Sequence, residues 1–423
     1  MYALVDCNNF FVSCERVFNP KLWNKPTIVL SNNDGCVVAR SQEVKDMGVA
    51  MGVPYFKIKD LLESKNVNIF SSNFILYGDL SNRVMKTLMS FVDDIELYSI
   101  DEAFLRLDDD IDKYTSLGDS IVDTVKKNIG LPVSVGIART KTLAKIANEI
   151  GKLQRRFNST TDLSILGEAE LDDLLNKLDI SEVWGIGYRT SEKLRGDGIY
   201  NVKDFKYSDR AFIRKKYSVT VERTYLEING VSCFKLDNNP TPRKGISYTR
   251  SFGTPITKIE ELEQAVASYT SNALRKLRKQ KSVANFITVY IRTGKYGEDK
   301  PYSNATTMTL DNYSNYSPDF IKKGLEALKL IYKNGYRYKK SGIYITGIRD
   351  ENSIQYSMLH SYNKSSEDQK STLMQNIDFI NSKFGTELVR SGKEINKERW
   401  RVRSDRISSR YTTSWDELLN IKI

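Results

Sequence analysis

One histidine, His360, in 423 residues leaves little room for Ser-His-Asp or Cys-His catalysis or for His-ligated metal chemistry. Each of these needs an imidazole beside the reacting group. Cysteine is almost as scarce. Cys7, Cys14, Cys36 and Cys233 show no CxxC spacing, so neither a structural zinc site nor a disulfide framework is expected. No apolar run reaches the length of a membrane helix. The opening Met1-Tyr2-Ala3-Leu4-Val5-Asp6 has no basic region and carries an acid in its apolar run, so no secretory signal is expected and cytoplasmic placement is. What catalysis there is should run on carboxylates.

What the chain does have is charge and length. At about 150 residues per domain it has room for roughly three domains. Charged residues make up 28% and hydrophobic residues 40%, with a mean hydropathy of −0.45, a soluble globular composition. The net charge of +11 is concentrated. Residues 1–240 hold 32 Lys and Arg against 34 Asp and Glu, whereas residues 241–350 hold 20 against 9. A basic module of domain size behind a neutral front half is the electrostatic footprint of a polyanion binder, although a solvated lysine-rich face has the same composition.

Hydrophobic patterning divides the chain further. Residues 1–5 form an apolar run that ends in Asp6, as a buried strand would. Residues 12–73 read as a small separate lobe with a strand at 26–30, an Asn32-Asn33-Asp34-Gly35 turn and a helix near 39–47 closed by Gly48. A helix over 80–91 and a hairpin of strands 96–100 and 103–107 follow. A helix over 117–128, a strand over 133–137 and a helix over 141–151 complete an α+β unit of residues 1–11 and 74–165. Residues 166–232 read as helical, with Val183-Trp184-Gly185-Ile186-Gly187 between two helices. Such a Gly-x-Gly hairpin can hold a DNA phosphate on backbone N–H groups, or can be a plain helix-helix turn. After a linker at 239–244 the order β-α-β-β-α-β is expected, a ferredoxin-like arrangement: strand 245–252, helix 259–280, strands 284–292 and 304–310, helix 318–333, strand 342–347. Arg275, Lys276, Arg278, Lys279 and Lys281 are its densest run of positive charge.

Asp6 ends one strand, and Asp101-Glu102 sits at the turn of a hairpin in the same inferred sheet. If adjacent strands bring them together, three carboxylates converge with no basic neighbour in sequence. An all-oxygen cluster of this kind suits Mg²⁺, with substrate phosphates completing the shell, and two-metal nucleotidyl transfer is the matching chemistry. A polar hairpin tip and a capped strand end explain the same residues without a metal.

Longer words decide between these readings. Asp6-Cys7-Asn8-Asn9-Phe10-Phe11, Ser31-Asn32-Asn33-Asp34-Gly35-Cys36-Val37-Val38-Ala39-Arg40, Tyr98-Ser99-Ile100-Asp101-Glu102-Ala103-Phe104 and Val133-Ser134-Val135-Gly136-Ile137-Ala138 closely resemble motifs of the Y-family translesion DNA polymerases. The ending, Trp400-Arg401-Val402-Arg403 through Ser409-Arg410-Tyr411-Thr412-Thr413-Ser414-Trp415, resembles the C-terminal extension of the UmuC branch of that family. Several motifs in order over nearly the whole chain are far more specific than any one of them.

The resemblance implies a right-hand polymerase. Its palm would be residues 1–11 and 74–165, its fingers 12–73 and its helix-hairpin-helix thumb 166–235. A basic little finger at 241–350 and a C-terminal extension at 351–423 would follow. It implies Asp6, Asp101 and Glu102, with the Cys7 carbonyl, as ligands of two Mg²⁺ ions, and Phe11 as a steric gate against ribose, with Phe10 packed beneath. Where the family places Tyr and Arg against the triphosphate, this chain has Gln42 and Lys45; Lys45 keeps the charge but not the bidentate fork. Lys152 matches a triphosphate-contacting palm lysine. Gly185, Gly187 and the five basic residues at 275–281 would hold DNA. Gln355, Ser357, Met358 and Leu359 resemble a loose sliding-clamp-binding peptide. Primer-template DNA, deoxynucleoside triphosphates, the clamp, processed UmuD and a RecA filament are the implied partners. Trp400 and Trp415 are expected to pack on the little finger. The rival reading is a catalytically inactive DNA-binding scaffold of the same fold, which the intact Asp6, Asp101 and Glu102 disfavour. A nucleotide cyclase is a third reading, and it would need neither the Gly-x-Gly turn nor the basic module.

Overall fold

The computed structural model describes residues 1–108, 114–153, 159–238, 241–294, 300–353, 364–384, 388–394 and 403–418. The chain forms two compact units, one of Met1–Ser31, Gly35–Pro240 and Arg406–Ile423, the other of Asn32–Asp34 and Thr241–Asp405.

In the first unit β1 (Tyr2–Cys7) turns directly into α1 (Phe10–Phe18). The turn is made by Asn9 in the left-handed region at φ 49°, which Asn tolerates better than most residues. A small lobe follows, with β2 (Thr27–Leu30), β3 (Val37–Arg40), α2 (Gln42–Asp46), α3 (Tyr55–Ser64) and β4 (Asn68–Ser71). Its sheet has the order β3-β2-β4. The single helix expected near 39–47 is instead a strand and a short helix. Val37 and Val38 favour extended backbone, and Ala39 and Arg40 pair with Val29 and Ile28.

The chain returns through α4 (Phe74–Leu88), β5 (Ile95–Leu97), β6 (Glu102–Arg106), α5 (Tyr114–Ile129), β7 (Val133–Ala138), α6 (Lys141–Leu153) and β8 (Thr160–Asp162). Helix α4 begins six residues before the expected start, because the Asn73 side chain accepts the Leu76 N–H and caps it. The five strands form one sheet ordered β5-β6-β1-β7-β8, with β1 antiparallel to both neighbours.

Alternation along β1 sorts its side chains onto two faces. Ala3, Val5 and Cys7 join a core with Val12 and Cys14 of α1, with α4 and α5, and with Val29 and Ala39 of the small lobe, so α1 is packed between the main sheet and that lobe. Leu4 joins a second core, with α6 and the helices α7 (Glu168–Asn176), α8 (Tyr188–Gly196), α9 (Val202–Lys206), α10 (Arg210–Lys216) and α11 (Val219–Ile228).

The second unit has the expected order: β9 (Ile246–Ile256), α12 (Ile259–Lys279), β10 (Ser282–Thr293), β11 (Ser303–Ser314), α13 (Ser317–Ile331) and β12 (Tyr338–Thr346), then β13 (Arg349–Asp350) and α14 (Lys364–Lys383). The antiparallel sheet runs β11-β10-β12-β9, so each β-α-β half is split by a strand of the other. Its core runs from Phe252 and Tyr269 to Phe320 and Tyr338. Among the described residues no helix is long and apolar enough to cross a membrane.

Candidate active site

The β1–β6 register places Asp6 opposite Glu102. Residue parity puts both side chains on the face that carries Leu4 and Phe104, the face covered by α6. Asp101 is drawn in beside them, since its carbonyl accepts the Cys7 N–H at 2.9 Å. Ser99 holds the turn: its hydroxyl donates to the Asp101 carboxylate at 2.5 Å and accepts the backbone N–H groups of Asp101 and Glu102. The Cys7 thiol is buried in the opposite core, so Cys7 can offer this site only its carbonyl.

Helix α6 supplies the countercharge. Lys145 and Lys152 are seven residues apart, two turns along one face of the helix. Lys145 Nζ lies 2.8 Å from Glu102 Oε1, and Lys152 Nζ 2.9 Å from Asp6 Oδ2 and 2.9 Å from Glu149. Burial pushes the Asp6 carboxyl above its ordinary value; Lys152 opposes the rise, and Glu102 and Asp101 add to it. Against burial, which lowers it, the Lys152 ammonium is held above its usual range by Asp6 and Glu149.

With the lysines in these places, no three His, Cys, Asp or Glu side chains among the described residues surround a common point. The donor set still fits a hard divalent cation. Two carboxylates on paired strand residues and a third on the adjacent turn are all oxygen, and their mutual repulsion is offset here by the Lys145 and Lys152 ammonium groups.

A cleft of about 220 Å³ opens at this edge, lined by Asp6, Asp101, Phe11, Arg40, Lys45 and Met51. The Phe11 ring stacks on Tyr77 at 4.6 Å and 15°, and Phe10 beneath it is buried. Burial, with Lys152 and Arg40 nearby, lowers the Lys45 ammonium below its ordinary value. Gln42 is not in this lining; its amide donates to Asp46 Oδ1 at 2.8 Å. Arg40 is, and sequence reasoning passed over it although it ends a quoted motif. The available signal was alternation in β3, where Val37 and Ala39 are buried and Val38 and Arg40 face outward.

Gly185 adopts φ +88°, a conformation that disfavours a side chain, and Gly187 begins α8. Trp184 locks this turn to the hairpin, its Nε1 donating to the Tyr98 hydroxyl at 2.9 Å. In the second unit Arg275, Lys276, Lys279 and Lys281 are exposed. Arg278 is half-buried instead. Its guanidinium grips both carboxylate oxygens of Asp378 at 2.6 and 2.8 Å and donates to Asn315 and Ser317. Its charge is satisfied inside the unit, by α14. Gln355, Ser357, Met358 and Leu359, and Trp400, lie outside the described residues. Trp415, expected to pack, is 89% exposed.

Residues 5–149 match the impB/mucB/samB family, 168–199 its helix-hairpin-helix motif and 243–358 its C-terminal domain, while 371–421 match a domain of unknown function. The chain is 38% identical to protein UmuC of Salmonella typhimurium, over all of both chains. It is 37% identical to protein ImpB of Salmonella typhimurium over 99% of each chain. The fold is that of a Y-family DNA polymerase chimera of Dbh and Dpo4, with a TM-score of 0.64 at 22% identity over 82% of this chain and 99% of that one. This is the fold of the Y-family DNA polymerase class. The chain belongs to the impB/mucB/samB family and is similar to UmuC over its full length.

Proposed function

We propose that the chain is a DNA-directed DNA polymerase that carries out error-prone translesion synthesis in DNA repair and the SOS response, by two-metal nucleotidyl transfer. The observation that carries this reading is the Asp6–Glu102 register pair with Asp101 beside it, at the edge of a cleft holding Phe11, Arg40 and Lys45. Two Mg²⁺ ions, when bound, lower the pKa of the attacking primer hydroxyl and stabilise charge on the leaving phosphates. Asp6, Asp101, Glu102 and the Cys7 carbonyl would hold them. Lys152 would then exchange its carboxylate partner for a triphosphate oxygen, and Lys45 and Arg40 would meet the triphosphate from the small lobe, whereas Gln42 could join them only by leaving Asp46. The Phe11 ring would stand where a 2′-hydroxyl would otherwise sit and reject ribonucleotides by shape.

On this reading Gly185 and Gly187 hold a DNA phosphate, and the exposed lysines of the second unit grip the duplex. Processed UmuD, a RecA filament and a sliding clamp docked at 355–359 are the proposed protein partners. The test is primer extension on intact and abasic templates with dNTPs and Mg²⁺. Synthesis across the abasic site is expected, from the chain alone or once clamp, processed UmuD and RecA filament are added. DNA binding with no extension in either setting would leave only the scaffold reading.

A second expected result separates the basic residues. Lys276, Lys279 and Lys281 together changed to Ala should flatten the salt dependence of duplex binding by about 0.9 in log–log slope for each phosphate that is no longer neutralised. Arg278→Ala should leave that slope alone and instead cost about 1.5–3 kcal/mol of stability, since it strands Asp378. Fluorescence anisotropy across a salt series and thermal melts read the two effects.

A further inference from the structure

Residues 406–418 belong to the first unit, and two of their contacts reach the helix that carries Phe11. Phe11, Glu15 and Phe18 stand at i, i+4 and i+7 of α1, one stripe of its surface. At one end of the stripe Tyr77 stacks flat on Phe11. In the middle Glu15 is 2% exposed, and its Oε1 accepts two hydroxyls, from Tyr77 at 2.6 Å and Ser408 at 2.9 Å. At the far end Tyr411 stacks on Phe18 at 4.8 Å and 18°.

The segment is itself anchored. Ser71 N–H donates to the Arg406 carbonyl, and Arg406 N–H donates to the Ser71 hydroxyl, both at 3.0 Å. The Asn73 amide donates to the Ser408 carbonyl and hydroxyl at 3.0 Å, and to the Ser409 carbonyl at 3.3 Å. Asn73 caps α4, and Tyr77 lies one turn further along it. Ser408 therefore ties the helix bearing the Phe11 ring to the helix bearing the ring behind it.

We propose that residues 406–411 are a positioning strap for the sugar-selecting wall of the active site. Ser408 and Tyr411 hold α1 and, through Glu15 and Tyr77, set how far Phe11 projects towards the 2′ position of an incoming nucleotide. This rests on Phe11 acting as the sugar gate. An apolar wall rejects an added hydroxyl only weakly unless it is unable to retreat, so the backing of the ring decides the discrimination. Burial raises the Glu15 carboxyl above its ordinary value while the Tyr77 and Ser408 hydroxyls oppose the rise, so losing either donor leaves a buried carboxylate under-satisfied.

The test uses the full chain on a dideoxy-terminated primer with templating thymine. It compares the Kd ratio of ATP to dATP on that primer with the ratio of their insertion efficiencies on the same primer ending in a 3′-hydroxyl. Phe11→Ala is expected to lower the discrimination by about 100-fold, the scale on which an apolar pocket separates such pairs. Ser408→Ala and Tyr411→Leu are expected to lower it about 5- to 10-fold with dATP binding within about twofold of wild type, and Ser408→Thr to restore it. Collapse in Phe11→Ala with full discrimination in Ser408→Ala and Tyr411→Leu overturns the strap and leaves the gate. Lower melting temperatures with an unchanged ratio also overturn it, by reducing the strap to packing. Full discrimination in Phe11→Ala, or no nucleotide binding by the wild type, removes the gate and the strap together. Ser408→Ala deletes a single oxygen, so it carries the test should Tyr411→Leu fail to fold.

Discussion

Changing Asp101 and Glu102 together to Ala is expected to reduce nucleotide incorporation by about a thousandfold or more, the scale on which preorganised electrostatic groups act. Single-turnover primer extension measures it. The expectation follows from geometry rather than from charge count. Asp6 and Glu102 are opposed on one face of the sheet, and the Asp101 carbonyl accepts the Cys7 N–H beside them. Stability should hardly move. The variant loses the Lys145–Glu102 ion pair, worth about 0–1 kcal/mol, but also removes two negative neighbours that raise the Asp6 carboxyl. A melting temperature within about 3 °C of wild type is therefore expected. Duplex affinity should survive too, because the basic residues lie elsewhere. Retained incorporation by a folded variant would remove these carboxylates from the chemistry.

Gly136→Ala is expected to destabilise the first unit by about 3 kcal/mol, at the upper end of what overpacking a core costs. Gly136 pairs with Leu4 in the sheet and faces α6. A Cβ there would lie 2.3 Å from the Ala144 carbonyl oxygen and 2.6 Å from the Asn148 nitrogen, backbone atoms of α6 that cannot rotate away. Relief requires the helix to rise off the sheet. Lys145, Glu149 and Lys152 ride on that helix, so incorporation should fall along with stability. Thermal melting should show a loss of about 6–12 °C for a unit of this size. Gly78→Ala is the control. It sits inside α4 with nothing within 4 Å of a new Cβ, and the change should stabilise by about 0.5–1 kcal/mol. Equal behaviour of the two variants would contradict the close approach of α6.

β1 and β6 were legible because each is a short apolar run beside an acid, and their side-chain period is local, although Glu102, which reads as part of the hairpin turn, is the first residue of β6. The β-α-β-β-α-β order of the second unit was legible for the same reason. Errors gathered where a contact from far away in sequence overrides local preference. Pairing with β2 turns Val37–Arg40 into a strand, whereas the earlier start of α4 is a local effect, the Asn73 cap on the Leu76 N–H three residues on. Arg278 reads as one more surface cation in a basic run. Only Asp378, 100 residues on, makes it an internal one.

By itself, the sequence determined which chemistry was open to this protein. One histidine, unpatterned cysteines and carboxylates at strand ends leave oxygen-ligand metal chemistry, and the charge imbalance marks the module suited to a polyanion. Residue types and short periods are written in adjacent positions, so they survive without a fold. Tertiary structure decided which charges meet. Lys145 and Lys152 reach the carboxylates because Gly136 lets α6 close on that face, Arg40 reaches the cleft through the β2–β3 pairing, and Ser408 meets Glu15 across 393 positions. Such encounters depend on which segment returns to cover a given sheet face, and no local pattern encodes that.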